Sequence, residues 1–201
     1  MSALALDVSV RRLGAGDAAL YRELRQRALA EHPEAFSSSV EDEARVAPDL
    51  LARRLAPRPE VPHDAVFGAF EGDRLIGLAG LAVDPRAKVR HRGRVFGMYV
   101  ARECAGRGVG AMLLAALIEH ARRAVELDSL VLTVTAGNDS ARRLYERAGF
   151  ASFGLEPGAV RVDGLAFDKV HMVRWLRAPS GAAAQRVSSS QPPLPDNGAP
   201  R

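Results

Sequence analysis

Apolar residues recur along this chain with two alternating periods, and the switches between them mark out its elements. Leu4, Leu6, Val8 and Val10 alternate with more polar neighbours, the period of a half-buried first strand. Asp17 then stands where a helix cap belongs, ahead of an apolar stripe at Leu20, Leu24 and Ala28 that ends before Pro33. Ser39 and Asp42 have the spacing of a capping box, and Pro48 opens a further helical turn through Leu55. Two short apolar runs, 65–70 and 75–83, flank Glu71-Gly72-Asp73 and predict a hairpin. The run 95–100 is apolar on both faces and predicts a central strand. Gly97 interrupts it, which fits either a bulge beside an approaching group or plain packing against the glycine.

Beyond a glycine-rich loop, Val109, Met112, Leu113, Ala116, Leu117, Ala121 and Ala124 follow helical spacing. A strand over 130–135, a helix over about 139–148 stopped by Gly149, and two strands over 150–155 and 166–176 complete the pattern, the last two around a loop holding Gly158 and Gly164. The sum is an α/β (α+β) chain: a mixed sheet with helices on both faces. One domain over 1–177 is expected, followed by a Pro/Ser/Ala-rich tail over 178–201 with too few large apolar residues to repay its ordering entropy.

Composition narrows the function classes. The chain has 201 residues, 47% of them hydrophobic, with 28 Lys plus Arg against 24 Asp plus Glu. That surplus is an arginine effect, since Lys88 and Lys169 are the only lysines, and it is spread too thinly to suggest nucleic acid. The densest basic run, Arg86, Lys88, Arg90, Arg92 and Arg94, reads first as a solvated loop and second as an anion site. No stretch reaches the roughly 20 apolar residues of a membrane span. The lone Cys104 excludes an intramolecular disulfide, and a cytoplasmic location is expected. His32, His63, His91, His120 and His171 form no metal-ligand spacing, so no metal is expected.

Two stretches carry candidate chemistry. Ala105-Gly106-Arg107-Gly108-Val109-Gly110-Ala111 joins a buried strand to a long helix, where glycines let a ligand approach the backbone and the first-turn amides face outward. With the helix dipole this suits a phosphate, aided by Arg107 or Arg102; the plainer alternative is a tight connection. Gly106-x-Gly108-x-x-Ala111 with Asp128 formally matches a dinucleotide fingerprint, but Asp128 precedes the next strand where such an acid should end it. In the second stretch Asn138 and Tyr145 lie seven residues apart, on nearly one helix face. They make either a groove wall or an N-cap and a half-buried core residue.

Taken together, Met98-Tyr99-Val100, the loop 106–111, and Asn138 followed by Leu144-Tyr145 and Gly149-Phe150 resemble the GNAT superfamily of acetyl-CoA-dependent N-acetyltransferases over residues 5–176. The resemblance implies a mostly antiparallel sheet of about seven strands, splayed between strands 4 and 5. It implies acetyl-CoA as co-substrate, with backbone of Met98, Tyr99 and Val100 along the pantetheine, amides of Gly106, Arg107, Gly108, Val109, Gly110 and Ala111 on the pyrophosphate, and Asn138 on the pantetheine side. It gives Tyr145 the role of general acid in a direct transfer to a small-molecule amine or a protein amino group, with neither membrane nor nucleic acid as partner. Ala105 departs from the pattern, since Gln or Arg is usual there, and no carboxylate lies in 95–100 to serve as base. Glu34, His91 and Glu103 are base candidates by sequence proximity alone. The acceptor side would be shaped by 31–40, where Glu31 and Glu34 near Phe36 could receive an ammonium group, and by 157–165. A non-catalytic acetyl-CoA-binding module is the main alternative, a dinucleotide-binding oxidoreductase the weaker one. The acceptor and the oligomeric state, a homodimer included, stay open.

Overall fold

The switch from period two to period 3.6 along the chain is realised in a seven-stranded sheet with helices on both faces, seen in a computed structural model that describes residues 8–178. The strands are β1 (Val8–Arg12), β2 (Ala65–Glu71), β3 (Arg74–Val83), β4 (Arg92–Val100), β5 (Ser129–Thr135), β6 (Ala151–Val162) and β7 (Leu165–Trp175). The helices are α1 (Ala18–Glu31), α2 (Val40–Ala44), α3 (Pro48–Leu55), α4 (Val109–Arg123) and α5 (Asp139–Arg147). Leu4, Leu6 and the expected tail beyond Ala178 lie outside the described residues.

The order across the sheet is β1-β2-β3-β4-β5-β7-β6. Every neighbouring pair is antiparallel except β4 and β5, which run parallel and pair only over Arg92–Arg94 against Ser129–Val131. Beyond Arg94 the two strands part, so the sheet is splayed where the family resemblance placed the opening. The chain's alternation sorts its side chains into two cores. Ile76, Ala79, Val95, Leu132, Val170 and Met172 pack under α4. Leu24 and Ala28 of α1 and Leu55 of α3 cover Phe70, Leu78 and Tyr99 on the other face.

Several local expectations hold in detail. Ser39 Oγ accepts from Asp42 N at 3.1 Å, and Asp42 Oδ2 accepts from Ser39 N at 3.0 Å, closing the capping box. Others shift. Leu20 faces solvent, and the inward stripe of α1 is Leu24, Arg25, Ala28 and Leu29. Met112 is also exposed, while Leu114 and Ile118 join the buried face of α4. Gly158 is no loop residue: β6 runs past it to Val162, and its register against β7 slips between Glu156 and Val160, so the excess chain is taken up as a bulge inside a long hairpin.

Candidate active site

Gly97 opens the site. Its φ is +64°, a left-handed conformation that side-chain-bearing residues rarely adopt, and the β3–β4 register slips there, so that Gly97 and Met98 together face Ala79. Ala101 N–H donates to Ile76 O at 2.8 Å, and strand alternation therefore turns the backbone groups of Met98 and Val100 away from β3, into the gap left by β5. Phe96 lays its ring over Gly80, where a Cβ would come within 2.6 Å of ring carbons. The glycine thus seats the aromatic ring just before the bulge.

The loop after β4 ends in two left-handed glycines, Gly106 (φ +75°) and Gly108 (φ +80°), with Gly108 as the N-terminal cap of α4. A Cβ at either would meet nothing within 4 Å. The first amide used by the helix is Met112 N–H, to Gly108 O at 3.1 Å, so those of Val109, Gly110 and Ala111 have no intrahelical acceptor. Gly110 has a packing reason as well, since a Cβ there would lie 3.1 Å from a Leu144 methyl, at the contact of α4 with α5. Arg107 points its guanidinium elsewhere: Nη2 donates to Glu71 Oε1 at 2.6 Å and Nη1 contacts Cys104 Sγ at 3.6 Å. Arg102 is exposed and has no ion pair among the described residues. The open amides, the dipole of a fifteen-residue helix and the Cβ-free approach fit a pyrophosphate.

Between the parted strands runs a cavity of about 880 Å³ that reaches from α5 to the α1–α3 face. Tyr145 lines it although it is 6% exposed, its ring edge-on to Phe150 at 6.1 Å between centroids. Its hydroxyl has no hydrogen-bond partner among the described residues, and burial pushes its pKa up to about 12. Asn138 fills both sequence readings: Oδ1 accepts from Ala141 N at 3.0 Å as a cap, and the residue also lines the cavity.

None of the three base candidates reaches the cavity. Glu103 is bound by Arg27 at 2.7 Å and by Arg74, and His91 contributes its carbonyl, to the amides of Asp128 and Ser129. Glu34 turns its carboxylate to His32 Nδ1 at 3.6 Å. Glu31 is likewise occupied, by Arg27 and by the Tyr99 hydroxyl, which donates to it at 2.8 Å. The pair of carboxylates expected beside Phe36 is therefore replaced by a cation: Arg25 stacks its guanidinium on that ring at 4.5 Å. The carboxylates that do line the cavity are Glu43, Asp64 and Glu156, and Glu156 Oε2 lies 2.7 Å from His171 Nε2.

Lys169, 5% exposed, ties the α1–α2 connection to the sheet. Its Nζ donates to Glu34 O at 2.8 Å, Ala35 O at 3.0 Å and Thr135 Oγ1 at 2.8 Å, and Thr135 Oγ1 donates to Glu34 O at 3.1 Å. Desolvation holds its pKa below the usual lysine range. From the expected acceptor-side segments, Ala35, Phe36, Ser37 and Ser38 line the cavity on one side and Ala159 and Val160 on the other. Arg25, Lys169 and His171 were missed in the sequence, although Tyr21, Arg25 and Ala28 share helical spacing and Lys169 and His171 alternate with the buried Val170 and Met172.

A splayed sheet, a bulged fourth strand and a glycine-capped helix define the architecture of an acyl-CoA-binding transferase fold. The model of the acetyltransferase (GNAT) family matches residues 21–150, and the chain belongs to that family. Among curated relatives it is 35% identical over 104 residues to an N-alpha-acetyltransferase RimI of Mycobacterium tuberculosis, and 34% identical over 71 residues to a putative phosphinothricin acetyltransferase of Bacillus subtilis. These alignments cover 51% and 35% of this chain and 62% and 43% of the relatives, so the chain spans less than two thirds of either. A GNAT-family acetyltransferase structure from Streptococcus pneumoniae superposes with a TM-score of 0.77 at 23% identity, over 84% of this chain and 99% of that one. A putative acetyltransferase from Salmonella typhimurium, solved with acetyl-CoA, gives 0.74 at 23% identity over 86% and 96%. The dinucleotide reading falls with the topology, because Asp128 sits at the paired end of β5, away from the gap.

Proposed function

We propose that the protein moves the acetyl group of acetyl-CoA to a primary amine, a small molecule or a protein amino group, by direct attack in a ternary complex. The observation that carries this reading is the β4–β5 gap itself, with free strand groups of Met98 and Val100 on one wall and the unpartnered Tyr145 hydroxyl on the other. Acetyl-CoA supplies an acetyl group already activated as a thioester. The amides of residues 107–111 hold its pyrophosphate, the outward backbone groups of Met98 and Val100 line the pantetheine path, with Tyr99 between them turning its own backbone to β3, and Asn138 offers its amide nitrogen beside it. A main-chain N–H at the bulge is positioned to donate to a carbonyl oxygen that gains negative charge.

Tyr145 holds its proton at neutral pH, since its pKa stands near 12, and as general acid transfers it to the departing sulfur, so that CoA leaves as the thiol. The acceptor ammonium first gives one proton to the His171–Glu156 pair, which fills the place of a base on the acceptor side of the cavity, and attacks as the neutral amine; the second proton, released from the nitrogen as the intermediate collapses, restores the Tyr145 hydroxyl. The reducing cytoplasm, suggested by a buried free Cys104, is the expected setting.

Single-turnover kinetics with an amine panel and thiol detection test the assignment. Tyr145→Phe and His171→Gln each slow the chemical step by about 10²-fold or more while acetyl-CoA affinity stays within about twofold. Unchanged single-turnover rates in both variants contradict the acid and base roles of Tyr145 and His171, and cofactor binding without transfer to any amine favours a binding module.

A further inference from the structure

Arg25 is the feature of the cavity that the proposed transfer leaves unused. It is 9% exposed, and its Nη1 is buried with no hydrogen-bond partner. Buried guanidinium N–H groups are rarely left unpaired, because each forfeits its hydration without return. Two other buried nitrogens share this condition among the described residues, Arg12 Nε and Arg174 Nε, and neither residue lines the cavity. Arg25 does, and its Nη1 lies 4.0 Å from the position of a Cβ at Gly97, beside the bulge. The guanidinium is held in place by the Phe36 ring at 4.5 Å and by Glu43, whose Oε2 is 3.7 Å from Nε, which leaves the Nη1 edge for a ligand.

The surroundings share its sign. Arg25, Arg54, Arg58, Arg92, Arg94 and Lys169 line the cavity against the carboxylates of Glu43, Asp64 and Glu156. This excess does not serve the cofactor's phosphates. Val95 packs under α4, so Arg94 and Phe96 project to the opposite face, where Arg94 lies over the Phe96 ring at 5.6 Å. The glycine loop, by contrast, leads into α4 on the far side of the sheet.

We infer that the acceptor is an amine that carries its own carboxylate close to the amino group, an α-amino acid or a near analogue, and that Arg25 Nη1 binds that carboxylate. The inference rests on the transferase reading for the fate of the amine, but not for the anion. A carboxylate on Nη1 lies beside the bulge, and one intervening carbon keeps the amine next to it, at the gap where the thioester is expected. A peptide N-terminus carries an amide carbonyl there in place of the charge.

The test compares free α-amino acids with their amides, using acetyl-CoA, thiol release and mass detection of the product. The acids should exceed the amides by about 10- to 100-fold in kcat/KM, the range of one charge-assisted hydrogen bond. Arg25→Gln should erase that preference by lowering the acids alone, with acetyl-CoA affinity unchanged. Calorimetry on the CoA-saturated protein reads the same point without chemistry: the acid binds at least tenfold more tightly than its amide, and Arg25→Gln removes the difference. Equal treatment of acids and amides by the wild type, or an equal fall of both in the variant, overturns the inference. Selective acid binding with no acetyl transfer overturns the transferase reading instead and leaves the Arg25 site standing.

Discussion

Replacing Lys169 by Met tests how the acceptor side is held together. The side chain keeps an unbranched apolar stem, ends one heavy atom short, and loses an ammonium that makes three hydrogen bonds of 2.8–3.0 Å. Thr135 still satisfies Glu34 O, so the carbonyl left without a donor is that of Ala35. An orphaned buried acceptor costs about 1–3 kcal/mol. Hydrogen bonds from a charged donor contribute about 1.5–3 kcal/mol each, but removing the ammonium also returns the several kcal/mol spent on desolvating it. The balance is a loss of about 2 kcal/mol, which in a domain of this size lowers Tm by roughly 4–8 °C. The injury should be local, so the amides of Ala35 and Phe36, bonded to His32 O and Pro33 O, should exchange faster with solvent deuterium than in the wild type. A pH arm separates charge from packing. Because burial lowers the folded-state pKa, the unfolded chain binds the extra proton between that pKa and about 10.4. Wild-type stability therefore gains with rising pH across that window, and Lys169→Met lacks the gain. A variant with unaltered Tm and unaltered exchange at Ala35 and Phe36 refutes the tether.

Gly97→Ala forces a side chain into φ +64° where space is open, with only Arg25 Nη1 at 4.0 Å, so the cost is backbone strain of about 1–2 kcal/mol. Tm should fall by roughly 2–8 °C, and acetyl-CoA affinity should fall further than in Gly164→Ala, a left-handed glycine in the turn between β6 and β7; equal affinities would separate the bulge from the site. At acid pH, the Arg11 guanidinium holds Asp17 down at about 2, and Arg27 does the same for Glu103. These depressed carboxylates stabilise the fold above their unfolded values near pH 4 and lose that contribution as pH falls toward 2. Chemical denaturation from pH 6 to 2 should show this limb, flattened in Asp17→Asn.

Much of this arrangement was legible in the residues. The glycine loop, the bulged strand and the Asn138–Tyr145 helix depend on local geometry that a short stretch encodes by itself, and their order along the chain sufficed to identify the family. The acceptor side depends on pairings between distant segments, and there proximity in sequence misled. Glu31 and Glu34 lie shortly before Phe36 in the chain, yet both turn away from the cavity to other partners, and Arg25, more than a turn before Glu31, takes the ring. Nothing near Lys169 in the sequence marks its role, because its three acceptors lie 34 to 135 residues earlier in the chain. Met112 and Leu20 fit a helical stripe but fall outside it, since the buried arc of each helix is rotated from the one the expected stripe marks and takes in Leu114 and Ile118 on α4 and Arg25 and Leu29 on α1 instead.

The parted strands are the foundation of the proposed chemistry, and backbone amide NMR of the full chain titrated with acetyl-CoA probes them directly. The largest shifts should fall on residues 107–111 and on Met98 and Val100, with smaller ones at Asn138, and acetyl-CoA lacking its pyrophosphate should leave 107–111 unmoved. Saturable binding that shifts none of these amides would contradict a cofactor seated between β4 and β5.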